Sequence, residues 1–68
     1  MKYRYFKETI TNEEIGEYEA YGIVTEDGNY RYSDVSCDED EVKKIVNVLN
    51  ENDVDPIHLH DVIEDMIG

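Results

Sequence analysis

The chain has no tryptophan, a single proline, a single cysteine and only six lysines and arginines among its 68 residues. Each shortage excludes something. With Cys37 alone, no internal disulfide can form, and no CxxC or Cys/His spacing offers a zinc site. A lone cysteine fits a reducing compartment. No apolar run approaches the roughly 20 residues that a membrane helix needs. Met1-Lys2-Tyr3 does not open a secretory signal. The expectation is a cytoplasmic protein without a membrane partner. The shortage of cations has the largest consequence. Eighteen acidic residues face six basic ones, for a formal net charge of −12. That excess repels nucleic acid and anionic lipid, so direct nucleic-acid binding is not expected. It also keeps a protein soluble while destabilising the compact state by self-repulsion.

What is present is patterned. High charge with little apolar content would mean disorder, but 40% of this chain is hydrophobic. Its length allows one domain, 1–68, with a modest core, since a domain this small buries only about 60% of its unfolded surface. The first half reads as strands over about 2–11, 17–25 and 30–35. Tyr3 and Tyr5 alternate with Lys2 and Arg4, and Tyr21 and Ile23 alternate with Ala20, Gly22 and Val24. Asn12 to Gly16 connects the first two. Glu26-Asp27-Gly28-Asn29 reads as a two-residue hairpin turn, because Asp-Gly accepts positive φ. The second half reads as helices over about 39–50 and 56–67. Asp38 caps the first, with Glu41 three residues on completing a capping box. Val42, Ile45, Val46 and Leu49 form its apolar stripe. Asn50 to Asp53 ends it, asparagine being tolerant of the left-handed conformation. Asp55 caps the second, with Pro56 in its first position and Leu59, Val62, Ile63, Met66 and Ile67 as its stripe. The fold class is therefore α+β: a three-stranded antiparallel meander, then a C-terminal antiparallel helical hairpin packed on one sheet face.

Tyr21-Gly22-Ile23, Ser33-Asp34-Val35-Ser36, Asn52 through Pro56-Ile57-His58-Leu59, and Asp61-Val62-Ile63-Glu64-Asp65 resemble a family of small bacterial proteins classed as a domain of unknown function. The resemblance covers roughly the last two thirds of the chain. Its most specific part is Pro-Ile-His-Leu-x-Asp-Val-Ile-Glu-Asp. It implies a strand-then-helix order and no activity. The family pattern has a longer strand region and a small hydroxyl residue before the proline, where this chain has Asp55.

The chemistry-bearing residues assemble no familiar centre. His58 and His60 lie about 200° apart on a helix and cannot share one metal unaided, and zinc wants three or four converging ligands. A metal-responsive protein using His58 and His60 is the weakest reading. Counted from Asn50, an EF-hand loop would need glycine sixth and glutamate twelfth, but Asp55 and Asp61 stand there. Cys37 sits beside Asp38, Glu39 and Asp40, the opposite of the electropositive setting that activates a thiolate. Carboxylate pairs are plentiful, but so small a chain has little room for a deep pocket. Neither an enzyme nor a cofactor is expected.

Two surface features remain. Tyr3, Tyr5, Tyr18, Tyr21, Tyr30 and Tyr32 all fall on the expected strands. They can pack across the sheet, or Tyr3, Tyr5, Tyr30 and Tyr32 can form an aromatic homodimer interface. The acids are distributed unevenly. Glu8, Glu13, Glu14, Glu17, Glu19, Glu26 and Asp27 follow one another without a lysine or arginine between them, as do the acids from Glu51 to Asp65. Glu64 and Asp65 fall near a helix C-terminus, where negative charge opposes the dipole by about 0.3–1 kcal/mol. Four of the six bases, Lys2, Arg4, Lys7 and Arg31, are expected on strands. The expected function is a non-enzymatic acidic binding protein, monomer or homodimer, that docks on a basic partner protein. The candidate contacts are Glu13, Glu14, Glu17, Glu19, Asp38, Glu39, Asp40, Glu64 and Asp65. Its sharpest form is a nucleic-acid mimic that occupies a nuclease or regulator, as small phage-borne inhibitors of bacterial defence do. The alternative is a regulatory protein with an aromatic or apolar homodimer interface.

Overall fold

The computed structural model of the chain describes residues 2–67. The order is β1 (Tyr3–Asn12), β2 (Gly16–Thr25), β3 (Arg31–Ser36), α1 (Glu39–Glu51), a 3-10 turn at Pro56–His58 and α2 (Leu59–Ile67). The strands form one antiparallel sheet in the order β1-β2-β3. This is the α+β class, a three-stranded antiparallel sheet followed by two helices. β1 and β2 pair without interruption from Tyr3↔Thr25 to Asn12↔Gly16. Their turn is tighter than expected, because Asn12 closes it. Its Oδ1 accepts from the Glu14 N–H at 2.8 Å and the Ile15 N–H at 3.3 Å, the local bonding that suits asparagine to turns. Gly16 supplies the positive φ of +83°. The connection thus shrinks to Glu13–Ile15.

The β2–β3 connection is longer than the expected two residues. It runs from Glu26 to Tyr30, and Lys2 and Tyr30 lie just outside the strands expected to hold them. A two-residue type I′ turn needs positive φ at both central positions; here only Gly28 has it, at +80°. Asp27 instead spends its carboxylate on the loop. It accepts from the Thr25 hydroxyl at 2.6 Å and the Asn29 N–H at 3.0 Å. Those bonds, the Thr25 hydroxyl first, hold the Asp27 carboxyl below its ordinary value. β3 also slips in register: Ile23 faces Tyr32, yet Tyr21 faces Ser36. The extra length is absorbed around Asp34, whose φ is +54°. Tyr18 Oη donates to Asp34 at 2.7 Å, and the Asp34 N–H donates to Glu8 at 2.8 Å.

In α1, Asp38 is the cap as expected, accepting from the Asp40 N–H at 2.9 Å. The capping box does not form. Ser36 Oγ takes the Asp38 N–H at 3.0 Å, which leaves Glu41 nothing to reach back for. At the other end Asn52 has φ −95°, and Asp53, not an asparagine, takes the left-handed conformation at +46°. Asp55 and Pro56 do start the next segment, with the Ile57 N–H on the Asp55 carboxylate at 3.1 Å. The His58 N–H, however, donates to the Asp55 carbonyl at 2.9 Å. That three-residue closure makes the first turn 3-10, so α2 proper begins at Leu59.

The core lies on one side of the sheet. Tyr3 and Ile23 meet Val42, Ile45, Val46 and Leu49 of α1 and Leu59 and Ile63 of α2. Ile23, Ile45, Leu49 and Leu59 are fully buried, and each such side chain contributes up to about 1.5–3 kcal/mol. The α2 stripe ends sooner than expected, for Met66 and Ile67 are exposed. α1 lies against all three strands, whereas α2 packs on α1 and the 3-10 turn. α2 also touches β3, where the rings of Tyr32 and His60 stack 5.8 Å apart. The outer edge of β1 is pinned at one point. Asn50 accepts the Tyr3 N–H at 2.8 Å and donates to the Tyr3 carbonyl at 3.0 Å.

Candidate functional site

The register of the hairpin decides where its acids stand. Side chains alternate between faces along a strand. Glu17 and Glu19 therefore share the face of Tyr21 and Ile23, but beyond the stretch that α1 covers. From Thr9 to Glu19 nearly every residue is exposed, so this end of the β1–β2 hairpin projects as an arm with Glu13 and Glu14 at its tip. Lys7 pairs with Glu19 at 3.0 Å. The Glu19 hydrogen bond and charge, with a smaller contribution from Glu39, hold the Lys7 ammonium above its ordinary value. The acidic arm and the acidic start of α1 thus meet around one lysine. Glu39 also accepts from Tyr5 Oη at 3.4 Å and sits 3.8 Å from Lys43. Asp38, Glu39 and Asp40 complete this zone, all exposed.

Glu64 and Asp65 form a separate group on α2. Glu64 meets His60 Nε2 at 3.1 Å. The last turn of α2 carries no basic residue, and neither does that of α1. The ion pairs among the described residues are solvent-exposed, and exposed pairs are worth about 0–1 kcal/mol each. They leave most of the negative charge uncompensated.

The tyrosines divide differently from the interface expectation. Tyr3 is a core residue, 4% exposed, and its hydroxyl donates to the Val54 carbonyl at 2.6 Å. Burial, with the charges of Asp55 and Asp53, raises its pKa. It cannot be a surface contact, because the helices cover its face of the sheet. Tyr5 makes an edge-to-face contact with Tyr21 at 6.1 Å, and Tyr32 stacks on His60. Of the four proposed interface tyrosines only Tyr30 is exposed. Among the described residues no three His, Cys, Asp or Glu side chains lie close enough together to hold a metal ion. Cys37 is exposed.

The helix-free face of the sheet holds what sequence reasoning missed. Arg4 is opposite Val24 on β2, and Val24 is opposite Arg31 on β3, so both arginines emerge beside one valine. Next along β1 on this face, Phe6 is opposite Gly22. Its ring lies across the glycine, where a Cβ would meet Phe6 Cζ and the Tyr32 carbonyl. The Arg31 guanidinium stands 4.2 Å above that ring. Arg4, Phe6, Val24, Gly28 and Arg31, with the β1 neighbours Tyr5 and Lys7, line a concavity of about 420 Å³. The available signal was Gly22 in mid-strand, where glycine often marks a close approach.

No helix among the described residues is long and apolar enough to cross a membrane. No curated protein and no solved structure matches the chain. A family model does, over residues 1–68 and so including the first strand, outside the likeness noted in the sequence. The chain belongs to the family of unknown function DUF6514.

Proposed function

We propose that this is a non-enzymatic acidic binding protein whose carboxylates dock on a basic protein surface. One observation carries the reading. The hairpin arm carries Glu13, Glu14, Glu17 and Glu19, the α1 N-terminus carries Asp38, Glu39 and Asp40, all seven are exposed, and Lys7 pairs with Glu19 and feels the charge of Glu39 where the two segments approach. Such a surface steers a cationic partner and speeds its association. The arm adds reach, since it stands clear of the helices and the molecule is 37 Å long against 18 Å in its shortest dimension. Glu64 and Asp65 form a second anionic patch on α2. The narrower form of the proposal is nucleic-acid mimicry, in which the partner's basic surface is one that otherwise holds phosphates.

The test is affinity capture from cell lysate at low salt, run in parallel with a variant in which the seven arm and α1 acids become glutamine or asparagine. The reading predicts a protein retained by the native chain, lost with the variant and released by added DNA when mimicry applies. Equal retention by both chains would defeat it.

A further inference from the structure

We infer that the helix-free face carries an anion site, formed by Arg4 and Arg31 beside Phe6, that takes the phosphoryl group of a small molecule. This inference is independent of the acidic surface and concerns the opposite charge.

The sheet register sets the two arginines on one face, across β2 from each other. Arg4 and Arg31 flank Val24 across β2, and neighbouring strands are about 4.8 Å apart, so their backbones are about 10 Å apart. The side chain of Arg31 closes that gap. Its guanidinium lies over Phe6, which is the next residue after Arg4 on the same face of β1. Two like charges converge on one concavity. In a chain of net charge −12, a carboxylate would be the expected neighbour for each. Neither arginine has one among the described residues, whereas Lys7 and Lys43 do. The two acids that share this side of the sheet are committed elsewhere: Glu8 accepts the Asp34 N–H, and Asp34 accepts from Tyr18.

The place is also built. Gly22 lets the Phe6 ring lie against the central strand, the Arg31 guanidinium stands over the ring, and Gly28 borders the concavity without a side chain. The volume of about 420 Å³ is in the range of small-molecule sites. The ligand class follows from charge and geometry. Two guanidinium forks offer two parallel pairs of donors. A phosphoryl group brings three oxygens and a charge of about −1.5 to −2, which matches two cations better than a single carboxylate does. A long nucleic acid would have to run past Glu8, Asp34 and the turn acids. A small ligand seated between the two arginines need not extend along the strands to them.

The experiment is a titration of the ¹⁵N-labelled full chain with inorganic phosphate and with pyrophosphate, against sodium chloride at matched ionic strength. The inference predicts saturable shifts at the Arg4, Phe6 and Arg31 amides and at both arginine Nε–H groups, with Lys43 and Lys44 unmoved. Arg4→Gln should weaken binding about ten- to hundredfold, the value of charge-assisted hydrogen bonds. Arg31→Lys, which keeps the charge but loses the fork, should also weaken it. Shifts equal to those of chloride, shifts that never saturate, or shifts shared with Lys43 and Lys44 would overturn the site. Tighter binding of succinate than of pyrophosphate would overturn the phosphoryl assignment. Tighter binding of a single-stranded oligonucleotide would overturn the small-ligand assignment.

Discussion

Tyr3 joins the sheet to the helical layer at three points: its N–H and carbonyl to Asn50, and its hydroxyl to the Val54 carbonyl. The last bond is partly buried, and its loss leaves the carbonyl without its protein partner. Tyr3→Phe should therefore cost about 0.5–1.5 kcal/mol in denaturant unfolding at neutral pH. The same residue gives a pH dependence of known sign. Its folded pKa lies above the ordinary tyrosine value of about 10, so its contribution is fully present below that value. It is lost as pH rises through the raised pKa, because the unfolded chain ionises first. Stability should fall above about pH 10, and fall less steeply in Tyr3→Phe; parallel curves would contradict this. Gly22 offers a second test. An added Cβ meets a ring and a backbone carbonyl, and the carbonyl cannot move away freely. Gly22→Ala should cost at least the roughly 1–3 kcal/mol of overpacking, seen as a lower melting temperature. The partners of Asn50 and Gly22 are invisible in the sequence because they are long-range. Asn50 reads locally as a helix end, and Gly22 as one more residue of an alternating strand.

At the scale of elements, more was legible. Period-2 alternation located the strands and the 3.6 spacing located both helices, because the core needs one face from each. What local pattern could not decide was which of two competing side chains takes a given backbone group. Ser36 outcompeted Glu41 for the Asp38 N–H, and Asp53 took the turn that an asparagine was expected to take. The register shift around Asp34 depends on Tyr18 and Glu8, both far away in sequence. The first α1 turn should still depend on its cap. Asp38→Ala should destabilise by about 1 kcal/mol, within a range of 0.5–2. Glu41→Ala should be nearly silent, since Glu41 closes no box. A large loss for Glu41→Ala would restore the capping box.

For the whole molecule, the acidic candidates were legible as a list but not as an arrangement. The arm brings Glu17 and Glu19 towards Glu39 through Lys7, whereas Glu64 and Asp65 stay with α2. The two arginines were legible only as strand residues; their meeting depends on a three-strand register. The net charge of −12 implies repulsion throughout the folded state, and salt screens it. Moderate salt should raise the melting temperature, and replacing the seven arm and α1 acids by their amides should raise it at low salt and flatten its salt dependence. A native melting temperature indifferent to salt would mean that the charges are already neutralised.

Recognition by charge has a sharper signature than stability does. The decisive measurement is the dissociation constant for the captured partner, taken from about 50 to 200 mM salt, a span over which binding through many charge contacts weakens by orders of magnitude. The account predicts that steep loss for the native chain and a shallow one for the amide variant. An affinity that stays constant across the series would contradict it.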